Sequence, residues 1–111
     1  MSNNNFTVNA TITKTRVEDL LCSAYEGGSN YWAESDGPYT QAFEPGGVIL
    51  HEFEEDEPED LLLDVSAIEK GLGIMAEKYP RHFANFLSED DDSTTGDVFL
   101  QCCLLGEIVY G

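Results

Sequence analysis

Apolar and polar residues alternate from Phe6 to Ile12. Phe6, Val8, Ala10 and Ile12 fall on one face and Thr7, Asn9 and Thr11 on the other, the period of a half-buried strand. The period then lengthens. Val17, Leu20, Leu21 and Ala24 recur at helical spacing behind a Thr15-to-Glu18 capping box, and Gly27-Gly28 stops the run. This predicts a helix from about Arg16 to Glu26. Ser29 to Glu34, with Tyr31-Trp32, reads as a short strand leaving the glycine turn. Asp36-Gly37-Pro38 and Pro45-Gly46-Gly47 are turn punctuation, with loop or a short edge segment between them.

Val48 to Phe53 reads as a strand, Glu54 to Glu59 as an acidic turn, and Leu61 to Leu63 as the returning strand, together a β-hairpin. A second capping box at Ser66-Ala67-Ile68-Glu69 opens a helix whose inward residues are Ile68, Leu72, Met75, Ala76 and Tyr79, and Pro80 ends it. Gly71 and Gly73 inside that helix each cost about 1 kcal/mol relative to Ala, and would suit a closely approaching neighbour. Arg81 to Leu87 offers one or two further turns with Phe83, Phe86 and Leu87 inward. A last helix starts at Thr94-Thr95-Gly96-Asp97, buries Val98, Phe99, Cys102, Cys103 and Leu105, and ends at Gly106. Glu107 to Gly111 reads as a short extended tail. The fold class is therefore α+β: a small antiparallel sheet of three to four strands, the acidic hairpin among them, packed against three helices in a single domain over residues 1–111.

Composition changes this picture mainly through charge. Twenty-two acids against five bases leave a formal −17 on 111 residues, where a net charge of roughly 2–8 suffices to keep a small domain soluble. Such a field repels nucleic acid and anionic lipid and attracts basic surfaces. With 41% hydrophobic residues and twelve aromatics there is enough apolar material for one core. The first residues carry neither a basic region nor an apolar one, and no run nears the ~20 apolar residues that cross a bilayer. An odd number of cysteines, Cys22, Cys102 and Cys103, fits reduced thiols in a cytoplasm. The adjacent Cys102 and Cys103 read as small core residues.

Catalytic patterns are weak. His51 and His82 are the only histidines and no motif joins either to a nucleophile. A calcium loop from Asp90, Asp92, Thr94 and Asp97 near Gly96 fails the EF-hand pattern, because Cys102 stands where the bidentate Glu belongs. Gly27-Gly28-Ser29-Asn30 follows a helix rather than a strand, so it is no phosphate loop. The expectation is a chain without catalytic residues, metal or cofactor.

Two surfaces remain as candidates. Seven acids crowd the nine residues from Glu52 to Asp60: Glu52, Glu54, Glu55, Asp56, Glu57, Glu59 and Asp60. Glu89, Asp90, Asp91 and Asp92 add four more. Carboxylates repeating along strands and helices at ~5–7 Å approximate the phosphate spacing of DNA, so this surface suits a basic groove built for nucleic acid. The alternative is a ligand pocket beside the glycine turn, formed by Asn30, Tyr31 and Trp32 with Arg81 and His82, since Tyr and Trp anchor interfaces.

Three segments carry a resemblance. They are Asp19 to Trp32, Met75 to Phe83, and Thr95 to Gln101 with the ending Gly106-Glu107-Ile108-Val109-Tyr110-Gly111. Together they resemble a family of small phage and prophage proteins built around an LL-C-x-A-x-EGGSNYW core. The resemblance implies an accessory protein acting in the cytoplasm of an infected bacterium. The acidic charge adds the expectation of a partner: a host protein with a basic surface, such as a nucleic-acid-binding or anti-phage defence factor, blocked as an anti-CRISPR or anti-restriction protein would block it. Direct binding to nucleic acid or membrane is not expected. A homodimer would have to form through apolar residues near the C-terminal tail, away from the charge.

Overall fold

The computed structural model describes residues 11–53, 60–90 and 92–111. The expected strand from Phe6 and the tip of the acidic hairpin lie outside these residues, apart from Thr11 and Ile12.

Helix α1 spans Lys14–Ser23. Its N-cap is Thr13, two residues before the expected cap, and Thr13 Oγ1 accepts from the Arg16 N–H at 3.3 Å. Val17, Leu20 and Leu21 are its buried face. The helix does not simply stop at the glycines: it widens into a π turn over Ala24–Gly28. Strand β1 follows at Ala33–Ser35, then a 3₁₀ turn at Tyr39–Phe43.

Strands β2 (Val48–Glu52) and β3 (Asp60–Leu63) pair antiparallel, Val48 opposite Leu63 and His51 opposite Asp60, as the hairpin pattern predicts. Strand β1 lies on the other side of β2 with Glu34 opposite His51, giving the antiparallel order β1-β2-β3. Alternation then sorts the side chains. Val48, Leu50 and Leu63 enter the core, while Leu62 is exposed on the face that also carries Glu34, His51 and Asp60.

Helix α2 spans Val65–Lys78. Its cap is Asp64, whose carboxylate accepts from the Ala67 N–H at 2.8 Å, not the Ser66 box. Asp64 already lies in extended geometry at the end of β3, so a side-chain acceptor reaches the first free N–H two residues earlier than the pattern suggested. Tyr79 separates it from α3, a full helix over Pro80–Leu87 with the proline in its first turn. Phe86 is buried there, whereas Leu87 is 52% exposed and does not join the core.

Helix α4, Ser93–Leu105, is the centre of the molecule. One buried side was expected, yet every residue from Thr95 to Cys103 is buried and Leu105 only half so. The reason is position: α1 and its π turn, α2, α3 and β3 all pack around it, and a helix enclosed on all sides has no solvent stripe. Close approach is allowed by glycines. A Cβ on Gly96 would stand 2.8 Å from the Leu20 carbonyl oxygen, and one on Gly71 would stand 2.9 Å from Cys103 Cα. The sheet and helices form the small α+β domain that the pattern predicted. Among the described residues no helix is long and apolar enough to cross a membrane.

Candidate functional site

The glycine turn ends against α4. Gly28 packs on the Ser93 carbonyl, where a Cβ would collide, and this delivers Ser29, Tyr31 and Trp32 to one α4 side chain, Asp97. Asp97 is 8% exposed. Its Oδ1 accepts from Ser29 Oγ at 2.8 Å and from the Trp32 indole N–H at 2.7 Å. Its Oδ2 accepts from the Tyr31 hydroxyl at 2.6 Å and from the Gln101 amide at 3.2 Å. The four donors fill the lone-pair sites that a carboxylate offers. A buried carboxylate is costly unless satisfied in this way. Burial of the Tyr31 hydroxyl and its bond to the carboxylate push that phenol up to about 12, although the residue as a whole is 47% exposed.

Gln101, one helical turn on, ties in the C-terminus. Its Oε1 accepts from the Val109 N–H at 2.7 Å and the Tyr110 N–H at 2.9 Å, and its amide nitrogen donates to the Tyr110 carbonyl at 3.1 Å. The Tyr110 ring stacks on Trp32, centroids 5.2 Å apart and planes 15° apart, and its hydroxyl donates to Glu52 at 2.5 Å. The Ile108 N–H donates to the Tyr79 hydroxyl at 2.8 Å. The expected extended tail is thus a docked segment, leaving Val109 57% exposed. Residues of Asp19 to Trp32, of Met75 to Phe83 and of Thr95 to Gly111 meet in this network.

A second cluster stands on the solvent face of the sheet. His51 Nε2 lies 2.9 Å from Asp36 Oδ1, and His51 Nδ1 lies 3.1 Å from Asp60 Oδ1, with Glu34 directly opposite on β1. The hydrogen bond to Asp36, against some desolvation, raises the imidazole above its ordinary value, with the Asp36, Asp60 and Glu34 charges assisting. Among the described residues no lysine or arginine lies on β1, β2 or β3. All five, Lys14, Arg16, Lys70, Lys78 and Arg81, are on α1, α2 and α3.

Between the π turn and β1 there is a cavity of about 320 Å³. Leu50 and Leu100 contribute apolar wall, and Tyr25, Ser29, Asn30 and Ser35 contribute polar atoms. The Ser35 hydroxyl donates to the Gly37 carbonyl at 2.7 Å, and the Tyr25 and Ser35 oxygens are 2.9 Å apart. Burial pushes the Tyr25 phenol above its usual range.

The residues singled out in the sequence are dispersed by this arrangement. Asp60 belongs to the anionic sheet face, but Glu52 turns to the opposite face to meet Tyr110. Glu54, Glu55, Asp56, Glu57, Glu59 and Asp91 lie outside the described residues. Glu89 and Asp90 are exposed between α3 and α4. Asp92 is the α4 N-cap, held below the usual carboxylate range chiefly by the Thr95 N–H. With Asp92 capping the helix and Asp97 turned inward, the calcium arrangement is not formed. Among the described residues no three His, Cys, Asp or Glu side chains group to hold a metal.

Of the pocket candidates, Asn30 lines the cavity, Tyr31 and Trp32 are committed to Asp97, and Arg81 and His82 sit on α3, away from the cavity wall. Asp97 and Gln101 were not recognised as partners in the sequence. Their signal was two polar residues spaced i, i+4 in the otherwise apolar stretch from Asp97 to Leu105 of α4. Burial pushes the Cys102 thiol up to about 11 and Cys103 well above its ordinary value, so both behave as packing residues. No family model, curated protein or solved structure matches the chain.

Proposed function

We propose that this chain is a non-catalytic binding protein whose anionic sheet face occupies the basic surface of a partner protein, a surface otherwise used to grip nucleic-acid phosphates. One observation carries the reading. Glu34, Asp36 and Asp60 converge around His51 on a sheet that bears no lysine or arginine. The sequence between β2 and β3 adds five further acids at residues 54–59. Every lysine and arginine of the chain is on a helix, so within the sheet only the His51 imidazole stands against the Glu34, Asp36 and Asp60 carboxylates. A field of this kind accelerates encounter with a basic partner and discourages nucleic acid itself. Following the family resemblance, the partner is a bacterial host factor of nucleic-acid binding or anti-phage defence.

The test is capture of binding proteins from a bacterial host lysate at 50 mM and 500 mM salt, with Glu34, Asp36 and Asp60 each changed to lysine in parallel. Capture of a nucleic-acid-binding protein at low salt, lost at high salt and in the reversed variant, supports the proposal. Capture indifferent to both changes removes it. The cavity beside the glycine turn supports a second reading, in which the chain holds a small ligand against Asn30.

A further inference from the structure

We propose that the cavity between the π turn and β1 binds an organic cation: a guanidinium, amidinium or ammonium group carried on an apolar body. This rests on the second reading, that the cavity holds a ligand, and supplies its chemical class.

The argument is a count of hydrogens. Each hydroxyl in the wall has one proton to give. Ser29 gives its proton to Asp97 Oδ1, and Ser35 gives its proton to the Gly37 carbonyl. With the Ser35 proton spent, the 2.9 Å contact between Tyr25 and Ser35 has Tyr25 as its donor. All three hydroxyls therefore keep only acceptor lone pairs for an occupant. Glu34, a wall residue whose side chain alternates toward the His51 face, brings negative charge beside the cavity, and Asn30 offers an amide oxygen together with two N–H donors. Among the described residues no lysine, arginine or histidine lines the cavity. A ligand rich in acceptors, such as a phosphate or carboxylate, would meet lone pairs and negative charge with few donors in return.

Guanidinium and ammonium groups have the opposite inventory, donors without acceptors. The apolar wall of Leu50 and Leu100 and the exposed ring of Phe53 accommodate the body of such a molecule, and an aromatic face attracts a cation. The volume of about 320 Å³ falls at the small end of ligand sites. The same chemistry comes from two sources, a free small cation or an arginine side chain delivered by a protein.

The experiment titrates benzamidinium, acetophenone and benzoate, three molecules of similar shape and different charge, into the ¹⁵N-labelled protein, with the tripeptide Gly-Arg-Gly as a fourth probe. Benzamidinium is expected to bind at least tenfold more tightly than the other two benzene derivatives and to shift the Asn30, Ser35 and Gly37 amides. Tyr25→Phe should weaken it at least fivefold while leaving acetophenone unchanged. Glu34→Gln, at an exposed position where folding is not at risk, should weaken it severalfold, and Glu69→Gln on α2, which removes the same charge elsewhere, should not. Gly-Arg-Gly shifting the same amides points to a side chain from a partner, and benzamidinium alone points to a free molecule. Either supports the class. Benzoate or acetophenone binding as well as benzamidinium overturns the class while leaving a ligand site in place. No binding by any probe overturns both. Equal losses in Glu34→Gln and Glu69→Gln would mean unspecific attraction and overturn the proposal as well.

Discussion

The indole N–H of Trp32 donates to Asp97 at 2.7 Å across 65 residues of chain. This bond joins the glycine turn to the central helix, and the stacked Tyr110 ring covers the indole from the C-terminal side. The buried carboxylate is a shared acceptor around which three separate segments close.

Asp97→Ala should therefore be among the most damaging substitutions in the chain. It strands the Trp32 N–H and the Ser29 and Tyr31 hydroxyls, and takes one of the two acceptors from the Gln101 amide. Each buried donor left unpaired costs about 1–3 kcal/mol. Partial relaxation sets an expected loss of roughly 3–5 kcal/mol, as for breaking other buried charged groups. Urea unfolding checks this: the midpoint should fall with little change in slope. A loss under about 1 kcal/mol would mean that the network contributes little net stability.

The two interior glycines of α2 should respond in opposite directions to alanine. A Cβ at position 71 meets Cys103 Cα and N at 2.9 Å, so Gly71→Ala must push α2 from α4 and destabilise. At Gly73 nothing lies within 4 Å of the added carbon. Gly73→Ala should stabilise by about 0.5–1 kcal/mol through helix propensity and a less flexible unfolded chain. Thermal melting of the pair decides, and the same sign for both would contradict the packing described.

Gln101→Leu keeps the volume of the side chain but removes the acceptor for the Val109 and Tyr110 N–H groups. Amide hydrogen exchange at those two positions should quicken to near the rate of an open segment, while α2 amides keep their protection. Unchanged protection at Val109 and Tyr110 would show that something else holds the tail.

His51 provides a pH dependence whose sign is determined. Its folded pKa lies above the ordinary 6.5 because Asp36 and Asp60 face its two nitrogens. The imidazolium is thus favoured in the folded state. The resulting stabilisation is fully present below 6.5 and is lost as pH rises through the raised folded value. An NMR titration should find the His51 midpoint above 6.5, with Asp36→Asn bringing it down toward that value. A midpoint at or below 6.5 in the parent protein would contradict the cross-strand geometry.

The elements were legible where local pattern decides. The 3.6-residue repeat of Val17, Leu20 and Leu21 and the alternation around Leu50 were enough to place α1 and β2, and the charge of −17 was plain from composition. Caps were less legible. Thr13, Asp64 and Asp92 stand beside other residues able to cap, and the backbone angle entering each helix selects among them. Leu87 matched the inward face of α3 but is exposed as the last residue of that helix.

Local order, fold class and the sign of the surface field follow from the residues in sequence, since they depend on spacing over a few positions and on a sum of charges. Tertiary structure alone decided which polar residues became internal. In sequence Asp97 is only a carboxylate near the start of the last helix. Only the close approach permitted at Gly28 and Gly96 turns it into the acceptor for Ser29, Tyr31, Trp32 and Gln101. Likewise, only the register of β1, β2 and β3 brings Glu34, Asp60 and His51 onto one face while sending Glu52 to the other. Burial and hydrogen bonding are properties of segments meeting in space, and segments 65 residues apart leave no periodicity from which to read that meeting.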